Sequence, residues 1–162
     1  DNATLYNDSI VAQIVKRFQK QDAIVIYVPD HGEECYEENR GFICRNHSAE
    51  IDWPLAHYEF EIPFWIYCSP KYIRNHRDIY RQIRKAKDKR FMTDALPHLL
   101  LYLAGIETPT YKEECNILSP KYDEMRPRIL KNSADYDKLR DAHLEKIKKE
   151  ESKKVKKKER RN

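Results

Sequence analysis

Between residues 3 and 20 the apolar side chains Leu5, Tyr6, Ile10, Val11, Ile14, Val15 and Phe18 recur at spacings of three and four, one stripe of an amphipathic helix. A helix of that kind packs on something. The following run, Ala23-Ile24-Val25-Ile26-Tyr27-Val28, is continuous, mostly β-branched and too short for a buried helix, so it predicts a strand covered on both faces. A helix that leads into a fully buried strand predicts an α/β layer with a parallel sheet. A second strand is expected at Phe64-Trp65-Ile66-Tyr67-Cys68, opened by Pro63 where a missing N–H is tolerated. Residues 29–61 between the strands form a long polar connection, and connections beyond about 15 residues are commonly functional or disordered. Within it, His57 stands before Tyr58-Glu59-Phe60-Glu61, whose alternation reads as the approach to the second strand.

Beyond Ser69-Pro70 a basic segment, 71–90, carries a modest helical stripe of Ile73, Ile79, Tyr80 and Ile83. Thr93-Asp94 predicts an N-cap for a helix over 95–104, with Pro97 tolerable in its first turn and Gly105 placed to end it. Arg128-Ile129-Leu130 predicts a short edge strand. From Ser133 the chain reads as a charged helix with one thin stripe, Leu139, His143, Leu144 and Ile147, and past Glu150 the Lys and Glu content predicts fraying. These patterns divide the chain into a packed portion, 1–130, and a charged helical, partly disordered tail, 131–162.

With 162 residues the chain is long enough to bury a core, and 40% hydrophobic against 36% charged residues places it on the polar side of globular proteins. The longest apolar run ends at Gly105 and is far short of the roughly 20 residues of a membrane span. The net charge of +4 belongs to the tail: from Lys131 onward 13 Lys and Arg face 7 Asp and Glu. Opening on Asp1-Asn2-Ala3 with no basic and apolar leader, the chain is expected to be a fragment without a signal peptide. Cys35, Cys44, Cys68 and Cys115 contain no CxxC pair, which excludes zinc-finger spacing. If disulfides form, Cys35 with Cys44 has slight preference, since both sit in one loop.

The most informative tetrapeptide is Asp30-His31-Gly32-Glu33, just past the end of the first strand, where open α/β sheets bind ligands. Asp supplies a hard carboxylate oxygen and His an imidazole nitrogen, while Gly allows a turn that keeps both facing one point. The pair suits zinc or a similar divalent ion. The competing reading makes Asp30 a cap and His31 an ordinary loop residue. Glu33 is placed to support a neighbouring ligand from behind. In Cys44-Arg45-Asn46-His47-Ser48, His47 and Arg45 could bind an anionic substrate or complete a metal shell. His98, among Leu96, Leu99 and Leu100, reads as a core or boundary histidine, and His76 and His143 are given no role.

An ordered set of segments carries a resemblance. Tyr6-Asn7-Asp8, the strand leading to Asp30-His31-Gly32-Glu33-Glu34, Glu61-Ile62-Pro63-Phe64-Trp65-Ile66-Tyr67, and Phe91-Met92-Thr93-Asp94 followed by 97–106 resemble the C-terminal half of the sulfatase-like phosphoethanolamine transferases. The likeness runs from Asp1 to about Leu130. It implies the C-terminal portion of an alkaline-phosphatase/sulfatase-like three-layer α/β/α domain, incomplete here, on the periplasmic face of the Gram-negative inner membrane. It implies a catalytic Zn²⁺ held by Asp30 and His31, and phosphate binding by His47 with Arg45. The implied activity moves phosphoethanolamine from phosphatidylethanolamine to lipid A or the lipopolysaccharide core through a phosphothreonine-type intermediate. The family's threonine nucleophile, an acidic zinc ligand and the membrane helices match nothing in this chain and belong to a missing N-terminal half. A sulfatase-type or phosphodiester hydrolase of the same superfamily is the alternative. A further alternative, of another class, is a non-catalytic module whose basic segments touch anionic lipid; sparse aromatics in the tail argue against nucleic acid.

Overall fold

The computed structural model describes residues 2–37, 43–44 and 50–159, with the backbone alone at 43–44 and 155–159. In chain order the elements are α1 (Asn2–Phe18), β1 (Ile24–Tyr27), β2 (Glu34–Cys35), β3 (Ile43–Cys44), α2 (Trp53–Phe60), β4 (Trp65–Cys68), α3 (Pro70–Asn75), α4 (Arg77–Ala86), α5 (Leu96–Ala104), β5 (Ile129–Leu130), β6 (Ala134–Asp135) and α6 (Tyr136–Glu159). They sort into two compact units: Asp1–Val28 with Pro63–Arg126, and Pro29–Ile62 with Pro127–Asn162. No described helix is long and apolar enough to cross a membrane.

In the first unit β1 and β4 form a two-stranded ladder, and it is antiparallel, with Ile24 opposite Cys68 and Tyr27 opposite Trp65. The parallel pairing expected from the sequence is therefore corrected. A parallel partner must re-enter at the start of the first strand, whereas here the chain returns beside Tyr27, the end from which it left. All eight residues of the two strands are half-buried, so β1 is not covered on both faces either. The rings of Tyr27 and Trp65 stack with centroids 5.2 Å apart.

Ser69 ties this ladder to the helices that follow. Its fully buried hydroxyl donates to Gln21 O at 2.6 Å and accepts from the N–H of Tyr72 at 3.0 Å and of Ala23 at 3.3 Å. The Tyr72 contact caps α3, and Pro70 occupies the first turn where its missing N–H is harmless. The core gathers Ala86, Leu99, Ile117 and Leu118, with Phe64, Ile66, Ile83 and Phe91 packed around them. Leu99, wholly buried, contributes roughly 2 kcal/mol by transfer alone. Thr93 is not the cap of α5: it opens a 3-10 turn, Thr93–Ala95, and the neighbouring Asp94 carboxylate is taken by Arg126 through two bonds of 2.7 Å. Gly105 ends α5 as expected, left-handed at φ 66°.

In the second unit the stretch before β4 is a helix, α2, rather than the alternating strand approach expected around His57. Asp52 caps it by accepting from Leu55 N–H at 3.0 Å, and Pro54 lies in its first turn. Ala56 of α2 then meets Leu130 and Tyr136, with Trp53, Phe60 and Leu139 against them. β5 pairs antiparallel with β6, so the expected edge strand at 128–130 has a partner. Arg128 forks onto Asp137 at 2.6 and 3.2 Å. α6 continues to Glu159, past the point where composition predicts fraying, and an i,i+4 pair, Lys149 with Glu145 at 3.6 Å, lies on its exposed surface. β2 and β3 make a small antiparallel pair that sets Cys35 opposite Ile43, and Cys35 is a free thiol, so the slight preference for a Cys35–Cys44 bond is not realised.

Candidate metal centre

Asp30 follows the last residue of β1 by three positions, and the backbone just after it is anchored to α2. The Gly32 N–H donates to Glu59 O at 2.9 Å. A Cβ on residue 32 would stand 2.2 Å from Tyr58 O, so only glycine lets the two backbones approach this closely. This differs from the sequence argument for Gly32. No positive φ is required of it, and what it supplies is room.

That anchoring orients His31. Its Nδ1 lies 2.7 Å from Gly32 O, and because a carbonyl only accepts, Nδ1 carries the proton and donates. The other ring nitrogen, Nε2, lies 3.5 Å from Asp30 Oδ2. A lone pair facing a carboxylate oxygen is repulsive unless a cation or a proton lies between them. Zinc bound to N and O at about 2.0–2.2 Å in tetrahedral geometry separates neighbouring donors by about 3.3–3.6 Å. The observed spacing fits that edge, and ligating histidines commonly donate their second nitrogen to a carbonyl. The His31 side chain is 25% exposed and that of Asp30 88%, so the pair opens to solvent on the aspartate side.

The other expected site residues are placed differently. Glu33 is exposed, and the Gly32 carbonyl rather than Glu33 fixes the His31 ring. Arg45 and His47 lie outside the described residues. Among the described residues no group of three or more His, Cys, Asp and Glu could hold a metal ion, and Asp30 and His31 stand together as a pair only. Two carboxylates in the same unit are buried, Glu34 at 0% and Glu59 at 1% exposure, and the sequence pattern does not mark either for the interior. Each has a partner. The only sequence sign of their burial is position: Glu34 begins β2, and Glu59 lies three residues after Ala56 on the inner face of α2.

The remaining histidines are structural. His57 and His143 stack on Trp53, with centroids at 5.5 and 5.2 Å, and His57 Nδ1 meets Glu61 Oε2 at 3.0 Å. His76 stacks on Tyr72 and faces Asp22 at 3.4 Å. His98 accepts from Lys112 N–H at 3.1 Å, a boundary role as its neighbours suggest. In the second unit, burial and the hydrogen bond to Glu61 push the Tyr136 hydroxyl up to about 12.

No family model matches the chain. It is 31% identical over 127 residues to the phosphoethanolamine transferase EptC of Escherichia coli O18:K1:H7, which covers 76% of this chain and 21% of the relative. It is 29% identical over 93 residues, 56% of the chain and 15% of the relative, to the Kdo(2)-lipid A phosphoethanolamine 7''-transferase of E. coli K12. The chain thus spans about a fifth of the length of the relatives it matches. Among solved structures it matches the C-terminal periplasmic domain of EptC from E. coli with a TM-score of 0.67 and 29% identity, over 85% of this chain and 39% of that one. The same match holds for that domain in complex with Zn. The fold class is accordingly α/β, as the sequence leads one to expect.

Proposed function

Since the chain belongs to the phosphoethanolamine transferase family, we propose that it supplies the Asp30–His31 half of a zinc centre in an enzyme that moves phosphoethanolamine from phosphatidylethanolamine to lipopolysaccharide. The observation that carries this reading is the orientation of His31, with Nδ1 committed to Gly32 O and Nε2 facing Asp30. Asp30 and His31 would hold the ion, which when bound would supply positive charge to lower a nucleophile's pKa and neutralise phosphoryl oxygens. In the first half-reaction a threonine hydroxyl, carried by a segment with no match here, attacks phosphorus. An O–P bond to threonine forms, the bond to the lipid's glycerol oxygen breaks, and diacylglycerol leaves with the proton. In the second, a hydroxyl of lipid A or the core attacks the phosphothreonine and regenerates the threonine. Arg45 and His47 bind the transferred phosphate.

On this reading residues 1–130 are the C-terminal part of the catalytic domain and 131–162 a basic helical tail, working at the periplasmic face of the inner membrane. A hydrolase of the same superfamily would share the metal pair and differ in what accepts the phosphoryl group. The test is His31→Ala in an intact parent protein, followed by metal analysis of the purified enzyme and by transfer of phosphoethanolamine. Loss of both zinc and transfer is expected; unchanged zinc content overturns the assignment. Residues 1–162 alone should bind zinc weakly and turn over no donor, and measured turnover would show that the nucleophile lies within this chain.

A further inference from the structure

A groove in the first unit, far along the chain from the metal pair, is shaped for a ligand. It has a volume of about 360 Å³, and its lining is largely apolar, with Phe64, Trp65, Ile66, Ile83, Ile117 and Leu118. That is within the range of small-ligand sites, at its lower end. Three cations share the lining, Arg84, Lys87 and Lys89. Arg84 and Lys87 are exposed and so stand at the mouth, while Lys89 is half-buried. Lys89 is held in place, with Nζ donating to Ile117 O at 3.1 Å and lying 5.4 Å from the centre of the Tyr122 ring. An ammonium has three donors, so this bond leaves Lys89 able to bind an anion as well. The acidic group beside them is Asp88, paired with Lys87 at 3.5 Å and itself largely exposed, which leaves the mouth net positive.

An apolar trough ending in a cluster of positive charge has the two-part chemistry of an anionic amphiphile. We propose that this groove binds a single-chain lipid with an anionic phosphate head, the alkyl chain lying between Trp65 and Leu118 and the head meeting Arg84, Lys87 and Lys89. The site is independent of the zinc pair and of the transfer reaction. An uncharged apolar ligand would make no use of the positive charge at the mouth, and free phosphate would leave the trough wet.

The groove contains its own reporter, because Trp65 is one of two tryptophans and the other, Trp53, belongs to the second unit. In a Trp53→Phe chain, a lysophosphatidylglycerol brominated on its acyl chain, kept below its critical micelle concentration, should quench Trp65 saturably. The brominated phosphocholine analogue should bind at least ten-fold more weakly, and Arg84→Glu with Lys87→Glu, both surface changes, should abolish that preference. If Trp53→Phe does not fold, Trp65→Phe in the otherwise native chain gives the same answer, since saturable quenching should disappear with Trp65. Absence of saturable quenching, equal affinity for both heads, quenching that follows Trp53, or displacement of the lipid by inorganic phosphate alone would each overturn the proposal.

Discussion

Replacing Gly32 with alanine puts the packing of the Asp30–His31 loop on α2 to the test. The added Cβ would lie 2.2 Å from Tyr58 O and 3.3 Å from Tyr58 C, so the two backbones must separate by on the order of 1 Å to reach ordinary contact. The Gly32 to Glu59 hydrogen bond, now 2.9 Å, would then stretch beyond useful range. Overpacking of this kind costs about 1–3 kcal/mol and the lost bond about 1 kcal/mol. Alanine's lower unfolded-state entropy offsets about 0.4–1 kcal/mol. The net expectation is a loss of about 2 kcal/mol, a fall of about 1 M in the urea midpoint at a typical slope. Trp53 lies in the core that α2 helps to build, so its fluorescence reports the unfolding of this unit. Gly105→Ala is the comparison: φ is 66° there but nothing lies within 4 Å of the new methyl, so backbone strain alone, about 1 kcal/mol, is expected. An unchanged urea midpoint for Gly32→Ala would refute the close-approach argument.

Two further outcomes follow from the first unit. Ser69→Ala removes the α3 cap and the bonds to Gln21 O and Ala23 N–H, both part-buried, so a loss of about 1–2 kcal/mol is expected in chemical unfolding; a loss under about 0.5 kcal/mol would mean water replaces the hydroxyl. The Arg126 fork holds the Asp94 carboxyl below its ordinary 3.8, so this pair stabilises the fold above the unfolded-state value and the contribution disappears as pH falls through the lower folded-state one. With Asp94 half-exposed the contribution is at most about 1 kcal/mol. The stability gap between wild type and Asp94→Asn should therefore be largest near neutrality and close in acid, and a gap that persists at pH 2 would contradict the pairing.

Much of this protein was legible in its residues, because the informative patterns are local. The three-and-four spacing from Leu5 to Phe18 became α1, the β-branched run became β1, and the left-handed Gly105 ended α5, since each depends on propensity and periodicity within a few residues. Asp30 and His31 could be singled out because they adjoin a strand end that local pattern had already located. What local pattern could not supply was direction and neighbourhood. The antiparallel return of β4 depends on where the chain emerges after residues 28–64, and helix α2 was hidden because Tyr58-Glu59-Phe60-Glu61 fits an alternating strand as well as a helix until Asp52 is seen to cap it. The sequence alone determined that an aspartate and a histidine would stand together after β1. Tertiary structure decided that the imidazole presents Nε2 to the carboxylate, because a backbone 26 residues downstream leaves room beside Gly32 for a hydrogen atom and for nothing larger.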